Sequence, residues 1–208
     1  MADRFFSLYL VTDRKATAGR RLLEVVDAAL QGGVGAVQLR EKDLPARDLF
    51  ALACALRPIC AARGARLLIN DRIDIALAAR ADGVHLPVNS FTSAEARGLV
   101  GPGALIGASA HDMAEARAAA AGGADFIVFG PVFDTPSKRA LGAPVGLEAL
   151  AAVARALTIP VLAIGGITAG RVDAVRRHGA RGVAVISAIL QASDPRAAAQ
   201  ELAGSHCQ

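Results

Sequence analysis

The stretch FIVFGPVFDTPSK, residues 126–138, contains the unit from which the fold is predicted. Its first four residues are apolar, as in a strand that is buried on both faces, and Gly130 then lets the backbone turn. Two prolines stiffen the following loop, which presents Thr135, Ser137 and Lys138 together. Hydroxyls and an ammonium group suit phosphate oxygens, although the same residues are common in ordinary polar loops. The stretch therefore predicts a buried strand with a candidate anion site at its carboxyl end.

Apolar runs of this kind recur along the whole chain. Eight of them are candidate strands, at residues 8–12, 36–40, 67–70, 83–86, 105–109, 126–130, 161–164 and 183–187. Ala-rich segments lie between them, and in residues 22–30 the apolar side chains are spaced by three and four positions, which places them on one face of a helix. Strands that alternate with helices predict parallel βα units.

A short signature also repeats, as GVGA at 33–36, ADGV at 81–84, GADF at 123–126 and GARG at 179–182. Each copy closes a helix, with its first residue as the C-cap, and opens a strand. The intervals of roughly 40 to 55 residues fit two βα units each. We therefore predict an α/β protein in which residues 1–208 form a single (β/α)8 TIM-barrel domain with short loops. An open doubly wound sheet is the alternative.

The composition excludes several classes of protein. A hydrophobic content of 53% with only 20% charged residues excludes a disordered chain. No apolar run reaches the length of about 18 residues that a membrane span needs, and no signal-peptide core begins the sequence, so we expect a cytoplasmic protein without membrane contact. The net charge of +4 comes from dispersed arginines, and aromatic content is only 4%, which argues against nucleic acid as a partner. The three cysteines, Cys54, Cys60 and Cys207, are expected to be reduced.

Polar residues concentrate where the predicted strands end. TIM barrels carry their chemistry at the carboxyl ends of the strands, so these residues are expected on one rim. They are Thr12, Asp13, Gln38, Arg40, Lys42, Asn70, Asp71, His85, Ser109, His111, Thr135, Ser137, Lys138, Gly165, Gly166 and Ser187.

Two groups on this rim suit a polar, charged ligand. Gln38 and Arg40 are two residues apart on a predicted strand and therefore share a face, and Lys42 follows them, so the three can surround a polar ligand. The alternative is that Arg40 forms an ion pair with a carboxylate from a neighbouring strand. Asn70 and Asp71 offer oxygen ligands for Mg²⁺ or a partner for a ring nitrogen. Asp71 is equally suited to cap the next helix.

The last two strands end in a second pattern. Gly165 and Gly166 follow the seventh predicted strand, and Ser187 ends the eighth. TIM barrels commonly bind phosphate at these two strand ends through backbone N–H groups. The alternative is that the glycines are needed only for a tight turn. His85 and His111 are also candidates for the rim, and His111 is the better placed of the two for proton transfer. For either histidine the alternative is a structural, hydrogen-bonded role.

At this point the motifs resemble those of a known family, the thiamine phosphate synthases with their close relatives, the TenI-type thiazole tautomerases. The resemblance covers nearly the whole chain. Its motifs are LYLVTDR (8–14), VQLREKDL (37–44), LLINDRIDIAL (67–77), ADGVHL (81–86), IGASAH (106–111), GPVFDTPSK (130–138), AIGGIT (163–168) and VAVISAI (183–189).

The resemblance implies an eight-stranded barrel that joins hydroxymethylpyrimidine diphosphate to hydroxyethylthiazole phosphate and releases diphosphate with the help of Mg²⁺. It also implies a role for each matching residue. Gln38, Arg40, Lys42 and Asn70 would hold the pyrimidine diphosphate, Asp71 the metal, Ser109 the pyrimidine, Lys138 the diphosphate, and Thr135, Ser137, Gly166, Ile186 and Ser187 the thiazole phosphate.

One departure from the family pattern favours an alternative. Synthases usually continue Gly-Gln-x-Asp after the fourth strand, and that Asp is a second metal ligand, whereas this chain has Ser90 at the position. The surrounding HLPVNSF resembles the tautomerases, in which His111 would shuttle a proton and no metal is needed. A non-catalytic binder of thiamine precursors is the third reading. Barrels of this size often associate through their helices, which leaves a homo-oligomer open.

Overall fold

The structure, a computed structural model, describes residues 5–135 and 143–204. Eight strands form a closed, all-parallel barrel in sequence order, as predicted. The strands are β1 (Leu8–Val11), β2 (Ala36–Leu39), β3 (Arg66–Asn70), β4 (Gly83–Leu86), β5 (Leu105–Ala110), β6 (Phe126–Phe129), β7 (Val161–Ile164) and β8 (Gly182–Val185). The helices are α1 (Leu22–Gln31), α2 (Ala46–Ala62), α3 (Ile73–Ala78), α4 (Ser93–Val100), α5 (Met113–Ala121), α6 (Gly146–Ala156), α7 (Ala169–Arg177), α8 (Ser187–Leu190) and α9 (Pro195–Gly204), with a 3₁₀ turn at Arg14–Ala16.

The barrel closes where β1 pairs with β8, with Tyr9 opposite Ala184. The (β/α)8 prediction is therefore confirmed, and the open doubly wound sheet is wrong. Several strand ends differ from the prediction by one residue, and the largest difference is at β8, which stops at Val185, so that Ser187 is the first residue of α8 instead of the last residue of the strand. Among the described residues, no helix is long and apolar enough to cross a membrane.

Successive residues of each strand face two different cores. One set fills the barrel interior, and the other packs between the strands and the helices, including the apolar face of α1 that its spacing predicts. The interior set comprises Phe6, Tyr9, Ala36, Leu68, Phe126, Val128, Leu162 and Ala184. Because side chains alternate along a strand, the same parity turns Gln38 and Asn70 toward the barrel axis at its carboxyl-terminal mouth, and Arg40 follows β2 directly. Ile186 follows β8 and packs against the core between strands and helices. The strand pattern thus selects which polar residues line that mouth.

The repeated signature between helices and strands corresponds to one hydrogen-bond motif. At the end of α1 the Gly33 N–H bonds to the carbonyl of Leu30, and the next N–H bonds to the carbonyl of Ala29. Gly123 and Gly179 occupy the same position after α5 and α7. After α3, however, Arg80 takes this left-handed position (φ 51°), one residue before the predicted Ala81. The C-cap residues themselves are Gly32, Gly122, His178 and Ala79, so the predicted caps are wrong by one residue in three copies and by two residues at Ala81.

Candidate active site

The inner wall of the mouth is formed by polar side chains from neighbouring strands. Gln38 on β2 is buried, and its amide nitrogen donates a hydrogen bond of 3.2 Å to the hydroxyl of Tyr9 on β1. Burial raises the pKa of Tyr9 well above its usual range, so the phenol is neutral and acts only through hydrogen bonding. Asn70 is half-buried at the end of β3 and stands in register with His85 on β4. Amide and hydroxyl groups therefore line the wall next to Arg40.

The backbone of Arg40 is fixed by a hydrogen bond, while its guanidinium group remains able to bind an anion. Its N–H donates to the Thr12 hydroxyl at 2.9 Å, and Thr12 is fully buried. Within residues 5–135 and 143–204, no carboxylate pairs with the Arg40 guanidinium, so the predicted alternative of an internal ion pair is wrong there. Lys42 follows in an exposed position. Two cations are thus placed beside the mouth without a protein counter-charge in the described chain.

The loop that carries Arg40 and Lys42 is tied down by the carboxylate between them. Glu41 is buried, and its two oxygens accept the Arg14 N–H at 3.1 Å, while the Arg14 guanidinium pairs with Glu41 at 3.2 Å. Arg14 and Lys15 also pair with Asp43, at 2.5 and 2.7 Å, and the Arg14 guanidinium holds the pKa of Asp43 well below its usual range. The loop after β2 is therefore fastened to the turn after β1 by charge-assisted hydrogen bonds.

His85 lies inside the barrel and not on its rim, so the prediction of a rim position is wrong for this residue. It is 2% exposed, and its Nε2 is 2.9 Å from the hydroxyl of Ser109 on β5. Burial, assisted by the positive charge of Arg40, lowers the pKa of His85 to about 3. At neutral pH the imidazole is uncharged, and it shares a hydrogen bond with the half-buried Ser109.

Asp71 and Ser90 meet at the edge of the mouth. The Ser90 hydroxyl donates to Oδ1 of Asp71, and the Asp71 N–H bonds to the His85 carbonyl at 2.9 Å. Asp71 is a non-glycine residue in the left-handed region (φ 66°), a conformation that concentrates at functional sites. The helix-capping alternative for Asp71 is wrong, because α3 begins after Arg72 and receives no side-chain cap. The two predicted metal-site positions are therefore adjacent.

On the opposite side of the mouth, two glycines let the loops after β6 and β7 pack together. Gly165 and Gly166 have φ values of 97° and 64°, and a Cβ on Gly165 would lie 2.5 Å from Pro131. The Phe133 N–H bonds to the Gly165 carbonyl at 3.1 Å, and the Arg171 guanidinium donates to the Gly166 carbonyl at 2.7 Å. Both glycines thus adopt the left-handed backbone that a tight turn needs, and both are also required by the close contact between the two loops.

The remaining predicted residues divide into three groups. Thr135 is half-buried at the end of the loop after β6, and Ile186 and Ser187 follow β8, next to the loop after β7. Ser137 and Lys138 lie outside the described residues. His111 is exposed at the start of α5, where its Nδ1 is 3.1 Å from Glu115.

Sequence reasoning missed the residues that support the mouth from below or behind. Tyr9, Glu41 and the buried position of His85 were not assigned to the site, because each acts through a partner on another strand or loop. The one local sign that Glu41 supports the site was its position in the sequence between the two predicted ligand-binding cations, Arg40 and Lys42.

These features define the class of the protein. It is a parallel eight-stranded α/β barrel with polar side chains at the carboxyl-terminal mouth, the face on which TIM-barrel enzymes carry their active sites.

Comparison with known proteins identifies the family within this class. The family model for thiamine monophosphate synthase (TMP-TENI) matches residues 8–189, and the chain belongs to this family. A protein of Geobacter sulfurreducens, provisionally named as a thiamine-phosphate synthase, is 57% identical over 97% of this chain and 95% of its own length. The thiamine-phosphate synthase of Roseiflexus castenholzii is 47% identical over 94% of this chain and 86% of its own length. The structure of the thiamine phosphate pyrophosphorylase of Pyrococcus furiosus superimposes with a TM-score of 0.88 at 37% identity, covering 96% of this chain and 94% of that one.

Proposed function

We propose that the protein is a transferase of thiamine biosynthesis, a thiamine phosphate synthase. It joins hydroxymethylpyrimidine diphosphate to hydroxyethylthiazole phosphate and releases diphosphate. Family membership supports the reaction, and the observation that carries its assignment to the barrel mouth is the Arg40 guanidinium, which stands there without a carboxylate partner among the described residues. A cation at this position attracts an anionic leaving group.

The reaction needs little proton transfer from the protein. The bond between the pyrimidine methylene carbon and the diphosphate oxygen breaks, both electrons leave with diphosphate, and the thiazole nitrogen then bonds to the methylene carbon. Arg40 and Lys42, with Lys138 by family resemblance, stabilise the negative charge that develops on the leaving oxygen. Gln38, Asn70 and Ser109 orient the pyrimidine diphosphate, so that the methylene carbon faces the second substrate.

The opposite side of the mouth is assigned to the thiazole phosphate. Thr135 and Ser137 supply hydroxyl donors, and the loops at Gly166, Ile186 and Ser187 supply backbone N–H groups. The packing of the loops after β6 and β7 supports this assignment, because the Val132 N–H bonds to the Ile164 carbonyl at 2.8 Å and brings the two loops together. Phosphate bound between such loops is the common arrangement in TIM barrels.

A magnesium ion is part of the proposal, and its donor set is small. Among the described residues, no three acidic, histidine or cysteine side chains are placed so that they could hold a metal ion together, and the Ser90 hydroxyl donates to one oxygen of Asp71. Mg²⁺ commonly binds through one or two carboxylates, water and substrate phosphates, so Asp71, assisted by the Ser90 oxygen, fits an ion that arrives with diphosphate. The ion would supply positive charge to the leaving diphosphate.

The proposal is tested by measuring thiamine phosphate formation from both phosphorylated precursors, with and without Mg²⁺. We expect Arg40→Ala to lower kcat/KM for the pyrimidine diphosphate by at least about 100-fold, since it removes a charge that acts on the leaving group. Arg47→Ala, which removes an exposed arginine from α2, is the matched control and should leave turnover unchanged. Equal turnover in wild type and Arg40→Ala would contradict the assignment.

A thiazole tautomerase is the second candidate, and the contact between Ser90 and Asp71 favours it. That contact occupies the carboxylate oxygen on the side where the family has a second metal carboxylate. In this case His111 would move the proton, and His111→Ala should stop isomerisation of the carboxythiazole phosphate. If the protein is a synthase, the same variant should still form thiamine phosphate when both precursors are supplied.

Three further parts of the proposal concern the whole protein. We propose a single domain over residues 1–208, small phosphorylated substrates as its partners, and a homo-oligomer associating through the outer helices. Free thiols at Cys54 and Cys60 support the cytoplasm as its location, because structural disulfides mark oxidising compartments.

A further inference from the structure

The imidazole of His85 is fixed by close packing beneath the mouth. The rings of Tyr9 and Phe126 lie with their centroids 5.8 and 6.1 Å from the His85 ring. Gly107 on β5 leaves room for this cluster, since a Cβ there would lie 2.8 Å from His85 Nδ1 and 2.3 Å from Phe126. These contacts pack the ring on several sides and restrict its rotation.

The two ring nitrogens of His85 have different surroundings. Nε2 is 2.9 Å from the Ser109 hydroxyl oxygen, whereas Nδ1 is buried and has no hydrogen-bond partner in the described structure. A neutral imidazole carries one proton, so one nitrogen donates and the other accepts. A proton on Nδ1 would be a buried, unpaired N–H, which proteins avoid more strictly than an unused acceptor. The hydrogen-bond pattern therefore assigns the proton to Nε2, which donates it to Ser109.

This tautomer determines what Ser109 can offer to a ligand. A hydroxyl has one proton and two lone pairs, and one lone pair of Ser109 is used by His85. The Ser109 proton has no acceptor among the described residues, and the side chain is half-buried on the strand that ends at the mouth. Ser109 is thus presented as a hydrogen-bond donor.

We propose that His85 is a positioning residue that makes Ser109 an obligatory donor, so that Ser109 selects substrates with an unprotonated ring nitrogen. The inference rests on the proposed function, because that ring nitrogen belongs to the pyrimidine. The exocyclic amino group of the pyrimidine is itself a donor: it could use only the second lone pair of Ser109 and would leave the hydroxyl proton without an acceptor. The acceptor atom of the ring, and not its amino group, is therefore the feature that Ser109 reads.

A double-mutant cycle measures the dependence of Ser109 on His85. The dissociation constant of the pyrimidine diphosphate is measured by calorimetry, without thiazole phosphate, for wild type, His85→Leu, Ser109→Ala and the double variant. We expect each single variant to weaken binding by about tenfold, the range of one hydrogen bond, and the double variant to lose no more than either. The affinity for thiazole phosphate should stay unchanged in all four proteins.

His85→Gln is the matched control, because its amide can still donate to Ser109. It should recover most of the affinity that His85→Leu loses, whereas a purely structural role for the ring would leave both variants equally impaired. Losses that multiply in the double variant, or a weaker affinity for thiazole phosphate in His85→Leu, would overturn the inference. Thermal unfolding of each variant identifies any that is not folded at the assay temperature, and His85→Gln with Ser109→Ala then completes the cycle.

Substrate analogues test the specificity directly. In two analogues of the pyrimidine diphosphate, one ring nitrogen or the other is replaced by C–H. Wild type should bind one of the two about tenfold more weakly than the parent compound, and His85→Leu and Ser109→Ala should bind that analogue and the parent equally. Wild type that binds both analogues as tightly as the parent would refute the inference.

The same measurements separate this inference from the proposed function. Wild type that binds the pyrimidine diphosphate with the expected selectivity but forms no thiamine phosphate would contradict the synthase and leave the role of His85 intact. If wild type forms thiamine phosphate and His85→Leu discriminates between the analogues as wild type does, only the role of His85 is contradicted. No binding of the pyrimidine diphosphate by wild type would contradict both.

Discussion

Lowering the pH should destabilise the protein through His85, because the folded barrel excludes the proton that the unfolded chain accepts. The pKa of His85 is lowered to about 3 by burial and by the charge of Arg40, from 6.5 for an exposed histidine. Between these two values the unfolded chain binds one more proton at this site than the folded protein does. The free energy of unfolding therefore falls as the pH falls through this window, and the site has no effect above about pH 7.

The size of the effect follows from the two pKa values. Within the window the loss approaches about 1.4 kcal/mol per pH unit, so a change from about pH 7.5 to about pH 5 should remove about 2 kcal/mol. Marginal protein stability makes this a large fraction of the total. His85→Gln has no titrating group at the position and should lack this contribution.

The measurement is urea unfolding, followed by circular dichroism, of wild type and His85→Gln at a series of pH values from about 7.5 to about 5. Other groups titrate in the same range, but they are present in both proteins and cancel in the difference between the two curves. We expect the curves to diverge by about 2 kcal/mol over the series. Parallel curves would refute the reasoning, since they would mean that His85 is protonated as readily in the folded protein as in the unfolded one.

The remaining predictions concern a thiol, a buried carboxylate and a helix end. Burial raises the pKa of the Cys60 thiol to about 12, so a thiol reagent should label the exposed Cys54 at once and Cys60 only after unfolding. Mass spectrometry of the labelled peptides measures the two rates. Equal labelling rates would contradict the burial of Cys60. Glu41→Ala should lower the free energy of unfolding in urea by about 1.5 kcal/mol, because the Arg14 backbone N–H loses a buried charged acceptor; an unchanged free energy of unfolding would mean that the contact is not formed. Arg80→Gly should raise the free energy of unfolding by about 1 kcal/mol, because glycine adopts the left-handed conformation without strain, and a lower value than wild type would refute this.

The fold was predictable because its signal is local and repeated. Each strand of a parallel barrel is buried on both faces and appears as an apolar run, and the runs correspond to β1 through β8 within a few residues. The end of β8 was not predictable, because the change from β8 to α8 depends on the backbone conformation of Ile186 (φ −119°, ψ −83°). The sequence stays largely apolar across this position and so gives no sign of the change. The order of the runs, together with their number, was sufficient to predict closure.

The mouth was predictable only in part, because its supporting contacts join distant residues. The shared face of Gln38 and Arg40 is predicted from strand alternation; Gln38 lies in β2, and Arg40 directly follows the end of this strand at Leu39. Gln38 reaches its partner 29 residues away, His85 reaches Ser109 across 24 residues, and Glu41 reaches Arg14 across 27 residues. No local pattern reveals such pairs, so the sequence locates the residues that face a ligand better than those that hold them in place.

The distribution of charge around the mouth connects the supporting contacts to the proposed reaction. Glu41 and Asp43 are neutralised by Arg14 and Lys15, so they do not cancel the charges of Arg40 and Lys42, which have no carboxylate partner in the described chain. The mouth is left with two cations and with the carboxylate of Asp71, whose hydrogen-bond partner Ser90 is uncharged. Two cations suit a diphosphate, whereas a carboxylate beside a diphosphate would repel it. In the proposed reaction a divalent cation that binds with the diphosphate would remove this repulsion, which would give Asp71 a physical reason to be a carboxylate even though Ser90 supplies no charge.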